Sequence, residues 1–155
     1  LNRGLLPAEI GDVAPRAPRA LVSTEAIELS NQMLAVRMNR LELVADTGTD
    51  AEFIDQLVEY GLIKPDGQGY FSVTASAVVN LSFTLRGFGL EPRHLKTVLT
   101  SASREVDLFA PIVKSSVSGK GANASAQAQE MTLQLANSIA ALHGLLIREV
   151  IERQK

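Results

Sequence analysis

The carboxy-terminal segment, residues 123–155, constrains the fold more than any other part of the chain. It contains no proline, and only Gly144 interrupts a run of good helix formers. At about 1.5 Å per residue, such a run predicts one helix on the order of 45 Å long. A helix of this length cannot bury its apolar side alone, so it needs neighbours.

The apolar side of this helix is too broad for one neighbour. Apolar residues recur at steps of three or four from Met131 to Val150, and others beside them widen the stripe. A helix starting at Pro92 would supply the first neighbour by folding back across a loop at residues 115–122. The same helix of a second subunit would supply the second. A single intramolecular core is the alternative, but we favour a homodimer. The predicted interface residues are Leu135, Ile139, Leu142, Leu146 and Val150.

The amino-terminal third changes character near residue 23. Residues 1–22 carry three prolines and two glycines without a sustained period, which is typical of an interdomain linker. A connecting helix is predicted over residues 24–38, within a segment at 23–39. The chain starts at Leu1 rather than at a methionine, so we expect a piece of a longer protein.

The middle of the chain predicts a succession of short elements. A helix at residues 40–46 stops at Gly48, and a second helix capped by Thr49 or Asp50 runs to Tyr60. Strands at 62–64 and 70–72, joined by a turn at 65–69, predict a β-hairpin.

Two further helices follow the hairpin. The first is capped by Ser72 or Thr74 and closes near residues 87–89. The second has Pro92 at its first position. Pro111 lies inside its pattern, so that helix should kink or end near Ala110. The predicted fold is mainly α, with a winged-helix-like subdomain at 40–90 and a long antiparallel helical hairpin at 91–155.

Composition argues against catalysis. The chain has no cysteine and two histidines, so it has neither a thiolate nucleophile nor a cysteine-based zinc site. His94 lies beside Arg93 and Lys96 near a helix start, and His143 has no carboxylate or second imidazole three or four positions away, so a satisfied or solvated histidine is the favoured role for each. Neither pair of neighbouring glycines, at 67 and 69 or at 119 and 121, has the spacing of a phosphate loop. We predict that the protein is not an enzyme and needs no cofactor or metal.

Charge and hydropathy set the expected location and partners. The chain has 15 Lys and Arg against 17 Asp and Glu, so no bulk positive field indicates nucleic acid. No apolar run reaches the length of a membrane span, and no signal peptide is evident. We therefore expect a cytoplasmic protein without a membrane partner.

The order of elements at residues 40–99 is that of a winged helix: helix, tight turn, helix, wing and a further helix pair. The segments "LVEYGLI" at 57–63, "GYFS" at 69–72 and "LRGFGLEPRHLKTVL" at 85–99 resemble the winged-helix unit of MerR-type transcription regulators. In that family the matching positions end the second helix, form the wing and make the turn between the two helices that follow it.

The later part, "GLEPRHLKTVLTSASREVDLFAPIV" at residues 89–113, is similar to the carboxy-terminal region of an actinobacterial MerR-type subgroup linked to control of cell-division genes. In that subgroup the usual DNA-binding winged helix lies at the amino end, and a second, divergent one follows a linker. The resemblance implies that this chain is the part after the linker. It also implies that DNA is bound by an amino-terminal domain absent here.

The helix-turn-helix departs from the DNA-reading pattern in its charge. Between residues 40 and 66 two basic residues stand against seven acidic ones, whereas DNA binding requires Arg, Lys or amide side chains. We infer a winged-helix scaffold without its DNA-reading chemistry. A solvated face is one explanation of the acids, and docking of a basic partner or of the regulator's own DNA-binding domain is another. The possible docking residues are Asp50, Glu52, Asp55 and Glu59.

Three functional hypotheses follow from the sequence. The favoured one is a dimerisation and regulatory part of a transcription regulator. The second is an effector-sensing module for an unknown small molecule or protein. The third is direct DNA binding, for which the locally basic stretch at residues 85–114 offers at most backbone contacts. The possible effector pocket comprises Phe53, Tyr60, Phe71, Phe83 and Phe88.

Overall fold

The computed structural model describes residues 36–117, 119 and 121–155. The predicted linker at 1–22 and most of the predicted helix at 24–38 lie outside the described residues. The elements, in chain order, are β1 (Arg37–Met38), α1 (Arg40–Thr47), α2 (Ala51–Glu59), β2 (Phe71–Ser72), α3 (Val73–Gly87), α4 (Pro92–Ser116) and α5 (Ala122–Arg153). The predicted fold class is confirmed: the protein is mainly helical, with one small antiparallel sheet and two long carboxy-terminal helices.

The turn between α1 and α2 follows from its capping residues. The Asn39 side chain accepts a hydrogen bond from the backbone N–H of Glu42 and caps α1. Gly48 ends α1 in the left-handed conformation, at φ 64°, which a residue with a side chain rarely adopts. Asp50 then caps α2 by accepting from the backbone N–H of Phe53 at 2.7 Å. Both predicted helices are therefore confirmed.

The predicted strand at residues 62–64 is wrong. β2 pairs antiparallel with β1 instead, so that Arg37 lies opposite Ser72 and Met38 opposite Phe71. The backbone N–H groups of Leu62 and Ile63 both donate to the Leu57 carbonyl oxygen, which closes the end of α2. These two N–H groups are therefore used at the end of α2 and do not pair with a strand. The final residues of the predicted helix at 24–38 are also wrong, because residues 37–38 form β1.

The core lies where α1, α2 and α3 meet the small sheet. Several of its side chains are at most 1% exposed. Further residues from β2, α3 and the segment after α2 complete the cluster. The members are Leu43, Phe53, Ile54, Leu57, Ile63, Phe71, Ala75 and Val79. Burial of these apolar surfaces is the main stabilising contribution of this subdomain.

Pro92 occupies the first turn of α4, as predicted. The alternative that the helix ends near Ala110 is wrong, because α4 continues through Pro111 to Ser116. Phe109 and Val113, on either side of the proline, are buried, whereas Pro111 itself is exposed. The packing of the two apolar residues keeps this stretch helical despite the missing N–H.

α5 packs antiparallel against α4, which confirms the predicted helical hairpin. No residue of α5 is fully buried. Every residue from 144 to 155 is exposed. The half-buried residues on the side towards α4 are Ala124, Ala128, Met131, Thr132, Leu135, Ala136, Ile139 and His143.

Candidate functional site

The wing loop, residues 65–69 before β2, is held by an ion pair and hydrogen bonds around one arginine. The Arg37 guanidinium pairs with the Asp66 carboxylate, donates to Gln68 Oε1 at 3.2 Å and lies 5.0 Å from the ring centre of Tyr70. Asp66 also accepts from the backbone N–H groups of Gln68 at 2.9 Å and Tyr70 at 3.1 Å. These backbone hydrogen bonds, with the help of Arg37, lower the pKa of Asp66. The basic side chain at the wing is thus held by its own protein.

The helix-turn-helix arginine is engaged in the same way. Arg40 of α1 donates from Nε to Asp55 Oδ1 of α2 at 2.9 Å, and its second nitrogen reaches the other carboxylate oxygen. The hydrogen bond to Asp55 raises the pKa of Arg40. This bidentate pair ties the two helices together and occupies the donor groups that phosphate recognition would use.

Arg86 neutralises part of the acidic surface from the other side. It lies 3.9 Å from Asp50 and 3.7 Å from Glu91, and its guanidinium is 5.3 Å from the ring centre of Phe53. Of the four predicted docking residues, Asp50 and Asp55 therefore have basic partners. Glu52 and Glu59 are exposed on α2. The structure thus reduces the unneutralised part of the acidic helix to two carboxylates.

The five aromatic residues of the predicted effector pocket lie at different places. Phe53 and Phe71 belong to the buried core. Phe83 contacts Phe53 edge-to-face, with ring centres 5.6 Å apart, and Phe88 is 82% exposed. Tyr60 lines a cleft at the end of α2. The five side chains therefore do not enclose one cavity.

The cleft lies between the end of α2 and the start of α4. It has a volume of about 390 Å³. Two carboxylates and a guanidinium line it, so its walls carry charges of both signs. The lining residues are Gln56, Glu59, Tyr60, Glu91, Pro92 and Arg93. Beside it, His94 Nδ1 accepts from the backbone N–H of Glu91 at 3.0 Å, which fixes the first turn of α4. Such walls suit a small ionic ligand.

The described residues offer neither a metal site nor a membrane span. Within the part of the chain that the structure describes, no three His, Asp or Glu side chains come close enough together to hold a metal ion. Among the described helices, none combines the length and the apolar character needed to cross a membrane.

The two arms of the hairpin are joined by a polar contact that the sequence did not reveal. His143 Nδ1 of α5 lies 2.6 Å from Glu105 Oε1 of α4, with both side chains partly exposed. The two residues are 38 positions apart. Only the antiparallel register of the hairpin brings them together, so a search within one helix could not find the pair.

The predicted interface residues divide between two environments. Leu135 and Ile139 are half-buried on the side towards α4. Leu142, Leu146 and Val150 are 55%, 52% and 49% exposed. Large aliphatic side chains on other faces of α5 are exposed to a similar extent, namely Leu133, Leu145, Ile147 and Ile151. An uncovered apolar surface of this size on one helix is typical of an interaction site.

Comparison with known proteins shows the family of the chain. The model of the family "Rv1828-like, C-terminal domain" matches residues 36–155. Two relatives are 27% identical over 122 residues, which is 79% of this chain and 49% of each relative. They are named uncharacterized HTH-type transcriptional regulators, Mb1859 of Mycobacterium bovis and Rv1828 of Mycobacterium tuberculosis. The chain spans about half the length of these relatives. The matched region contains all the elements described above, and the chain belongs to the family of Rv1828-like C-terminal domains.

Proposed function

We propose that this chain is the dimerisation and regulatory part of a transcription regulator whose DNA is bound by another domain. The family match and the regulator names of its relatives support the role in transcription. Because the chain covers about half of each relative, the other half has room for a DNA-reading domain. The resemblance to MerR-type regulators, and to their subgroup linked to cell-division genes, extends the proposal to that class of regulator.

The ion pairs of the basic residues support the proposal that this part of the regulator does not read DNA. A winged helix binds DNA through positively charged side chains on its helix and wing. Here Arg37 at the wing and Arg40 at the first helix both pair with carboxylates of the same subdomain. Glu52 and Glu59 add uncompensated negative charge to α2. The phosphate backbone would meet a surface of the wrong sign.

The observation that carries the dimerisation proposal is the exposure of α5. From residue 144 to its end the helix has no buried or half-buried side chain, although it carries five large aliphatic residues there. A helix that is apolar on most sides is stable in water only when other surfaces cover it. A dimer would cover α5 and would hold two DNA-reading domains at a fixed spacing on a two-fold operator.

Truncation of α5 tests this proposal whichever side of the helix forms the dimer interface. We expect a chain that ends at His143 to be monomeric, whereas the full 155-residue chain is a dimer by light scattering. None of the removed residues is buried, so the helical circular dichroism of the remainder should persist. Leu81→Glu in the full chain is a matched control, because Leu81 is 67% exposed on α3, outside the hairpin. A truncated chain that stays dimeric would refute the role of α5.

The cleft at the start of α4 favours a second candidate, an effector-sensing role. Its charged walls suit ligands that carry both an amine and a carboxylate. A thermal-shift screen with free amino acids tests this role. A rise in melting temperature that disappears in Glu59→Gln would support it, and no shift with any of them would count against it.

A further inference from the structure

The side of α5 that packs on α4 continues beyond the point where packing stops. Leu135 and Ile139 are half-buried on this side. Leu142, Leu146 and Val150 follow them at steps of three and four, so they lie on the same side of the helix. They are nevertheless about half exposed. The apolar stripe therefore extends into a part of α5 that α4 leaves uncovered.

The apolar stripe of α4 also changes from buried to exposed, here on going from the loop towards the start of the helix. Phe109 and Val113 are its buried residues near the loop to α5. Val106, Ala102 and Val98 continue their stripe towards the start of the helix at steps of three or four. All three are exposed, and the valines at 98 and 106 are 62% and 50% exposed. Leu95 and Leu99 stand three residues before Val98 and Ala102 on the same broad apolar side, and they are buried and half-buried.

Both arms of the hairpin thus present an uncovered apolar stripe that runs from the level of the contact of His143 with Glu105 to the open end of the hairpin. Because the two helices are antiparallel, the start of α4 and the end of α5 lie at the same end of the hairpin. We name these two stripes together the inner faces: Val98, Ala102, Val106, Leu142, Leu146 and Val150. They continue the stripes of Phe109 and Val113 on α4 and of Leu135 and Ile139 on α5.

We infer that the inner faces bind the inner faces of a second copy, so that four helix segments form the dimer core. This inference rests on the proposed dimerisation and assigns its surface. Two helices that each expose an apolar stripe form a bundle when two more helices cover them. A two-fold axis brings the same surface of each copy together, so the surface has to be self-complementary.

The charges beside the inner faces allow an identical surface to approach. Glu149 lies 3.1 Å from Arg153 within α5, and Glu105 contacts His143 between the arms. Each acidic side chain of these pairs has a basic or ionisable partner in its own copy. A second copy therefore meets, at these positions, carboxylates that are already hydrogen-bonded within their own copy. A strongly basic or acidic partner would gain little attraction from such a surface.

The size of the inner faces fits a dimer contact. Five of the six residues are large aliphatic side chains that are about half to two-thirds exposed. Two copies, with the small and polar residues between these side chains, bury on the order of the 1,000 Å² of total surface that a specific interface needs. The dimer would also cover the exposed apolar residues of α4 at 98–106.

Charge substitution on α5 tests the surface, and the same helix supplies a matched control. Leu142→Glu with Leu146→Glu places two charges on the inner face, at side chains that are 55% and 52% exposed. Leu133→Glu with Ile151→Glu places two charges nearly opposite on the helix, at side chains that are 54% and 53% exposed. We expect the first variant to raise the dimer dissociation constant by at least about a hundred-fold and the second to change it less than about three-fold.

A substitution on α4 tests whether both arms take part. We expect Val98→Glu to raise the dimer dissociation constant by at least about ten-fold. Val98 lies on α4, so this variant tests an arm of the hairpin that truncation of α5 does not change. None of the substituted residues is buried, so circular dichroism should show the natural helix content in every variant. Analytical ultracentrifugation of the full 155-residue chains measures the dissociation constants.

The outcomes separate the inference from the proposal on which it rests. A natural chain that is monomeric throughout would overturn the dimerisation itself. A natural dimer that is weakened only by Leu133→Glu with Ile151→Glu would place the contact on the opposite side of α5 and overturn the inference. A dimer that tolerates Val98→Glu would show that α4 is outside the interface, and the inference of a contact made by both arms would then fail.

Discussion

His143 of α5 and Glu105 of α4 meet across the helical hairpin, with Nδ1 and Oε1 2.6 Å apart. This contact lies at the point where α5 stops packing, because every residue after it is exposed. The pair therefore marks the boundary between the part of α5 that α4 covers and the part that is free for a partner.

Loss of this contact should weaken the hairpin only slightly. Both side chains are partly exposed, at 44% and 30%, so solvent screens their interaction. We expect Glu105→Gln to lower the free energy of unfolding by about 0.5 kcal/mol, as for other exposed pairs. Urea denaturation followed by circular dichroism measures the change. A loss of several kcal/mol would show that the pair is essential to the hairpin.

The wing network should respond to acid. The backbone hydrogen bonds of Gln68 and Tyr70, with Arg37, favour the charged form of Asp66 and lower its pKa in the folded protein. Its contribution to stability is then fully present above the unfolded-state pKa, near 3.8, and is lost as the pH falls through the lower folded-state pKa. At pH 7 we expect Asp66→Asn to be less stable than the natural protein, with the difference shrinking in acid.

NMR titration of the Asp66 side-chain carboxyl checks the cause directly. The midpoint should lie below that of an aspartate in an unfolded peptide. A midpoint at or above the ordinary value would show that the network does not stabilise the carboxylate.

The core of the winged-helix-like subdomain should be sensitive to cavities. Leu57 of α2 has no exposed surface. We expect Leu57→Ala to lower the free energy of unfolding by about 2–5 kcal/mol, because the site loses buried apolar contact and gains a cavity. Leu81→Ala on α3, where the leucine is 67% exposed, is the matched control and should change stability by less than about 0.5 kcal/mol. Equal effects of the two changes would contradict this description of the core.

The chain alone should not retard duplex DNA. Arg37 and Arg40 are held by Asp66 and Asp55, and Glu52 and Glu59 add negative charge on α2. We expect no shift in a gel mobility assay, even at low salt, where phosphate contacts are strongest. Retardation that weakens steeply as salt rises would mean that the subdomain, or the basic stretch at residues 85–114, still contacts the DNA backbone.

Local sequence signals predicted most of the helices. Gly48 and Asp50 are capping residues, so the end of α1 and the start of α2 follow from them, whereas the cap formed by Asn39 was seen only in the structure. The sequence predicted the wrong strand partner for β2. The turn residues at 65–69 indicate that the chain reverses before β2, but they do not tell whether residues 62–64 or residues 37–38 pair with it. Which segment pairs with β2 depends on the distant residues 37–38 and on the backbone donors that the end of α2 uses.

The candidate site was predictable in part. The apolar stripe of α5 is evident from its spacing in the sequence, but which of its members α4 covers depends on the register of the hairpin. Val98, Ala102 and Val106 have the spacing of core residues, and only the structure shows that they are exposed. The contacts of Arg40 with Asp55 and of His143 with Glu105 join different helices, so no spacing rule within one helix reports them.

The solution mass of the 155-residue chain, measured by light scattering across a concentration series, tests whether the chain forms a dimer. We expect a mass twice the 16.6 kDa of one chain, falling towards that of a single chain only on dilution. A mass of one chain at every concentration would contradict it.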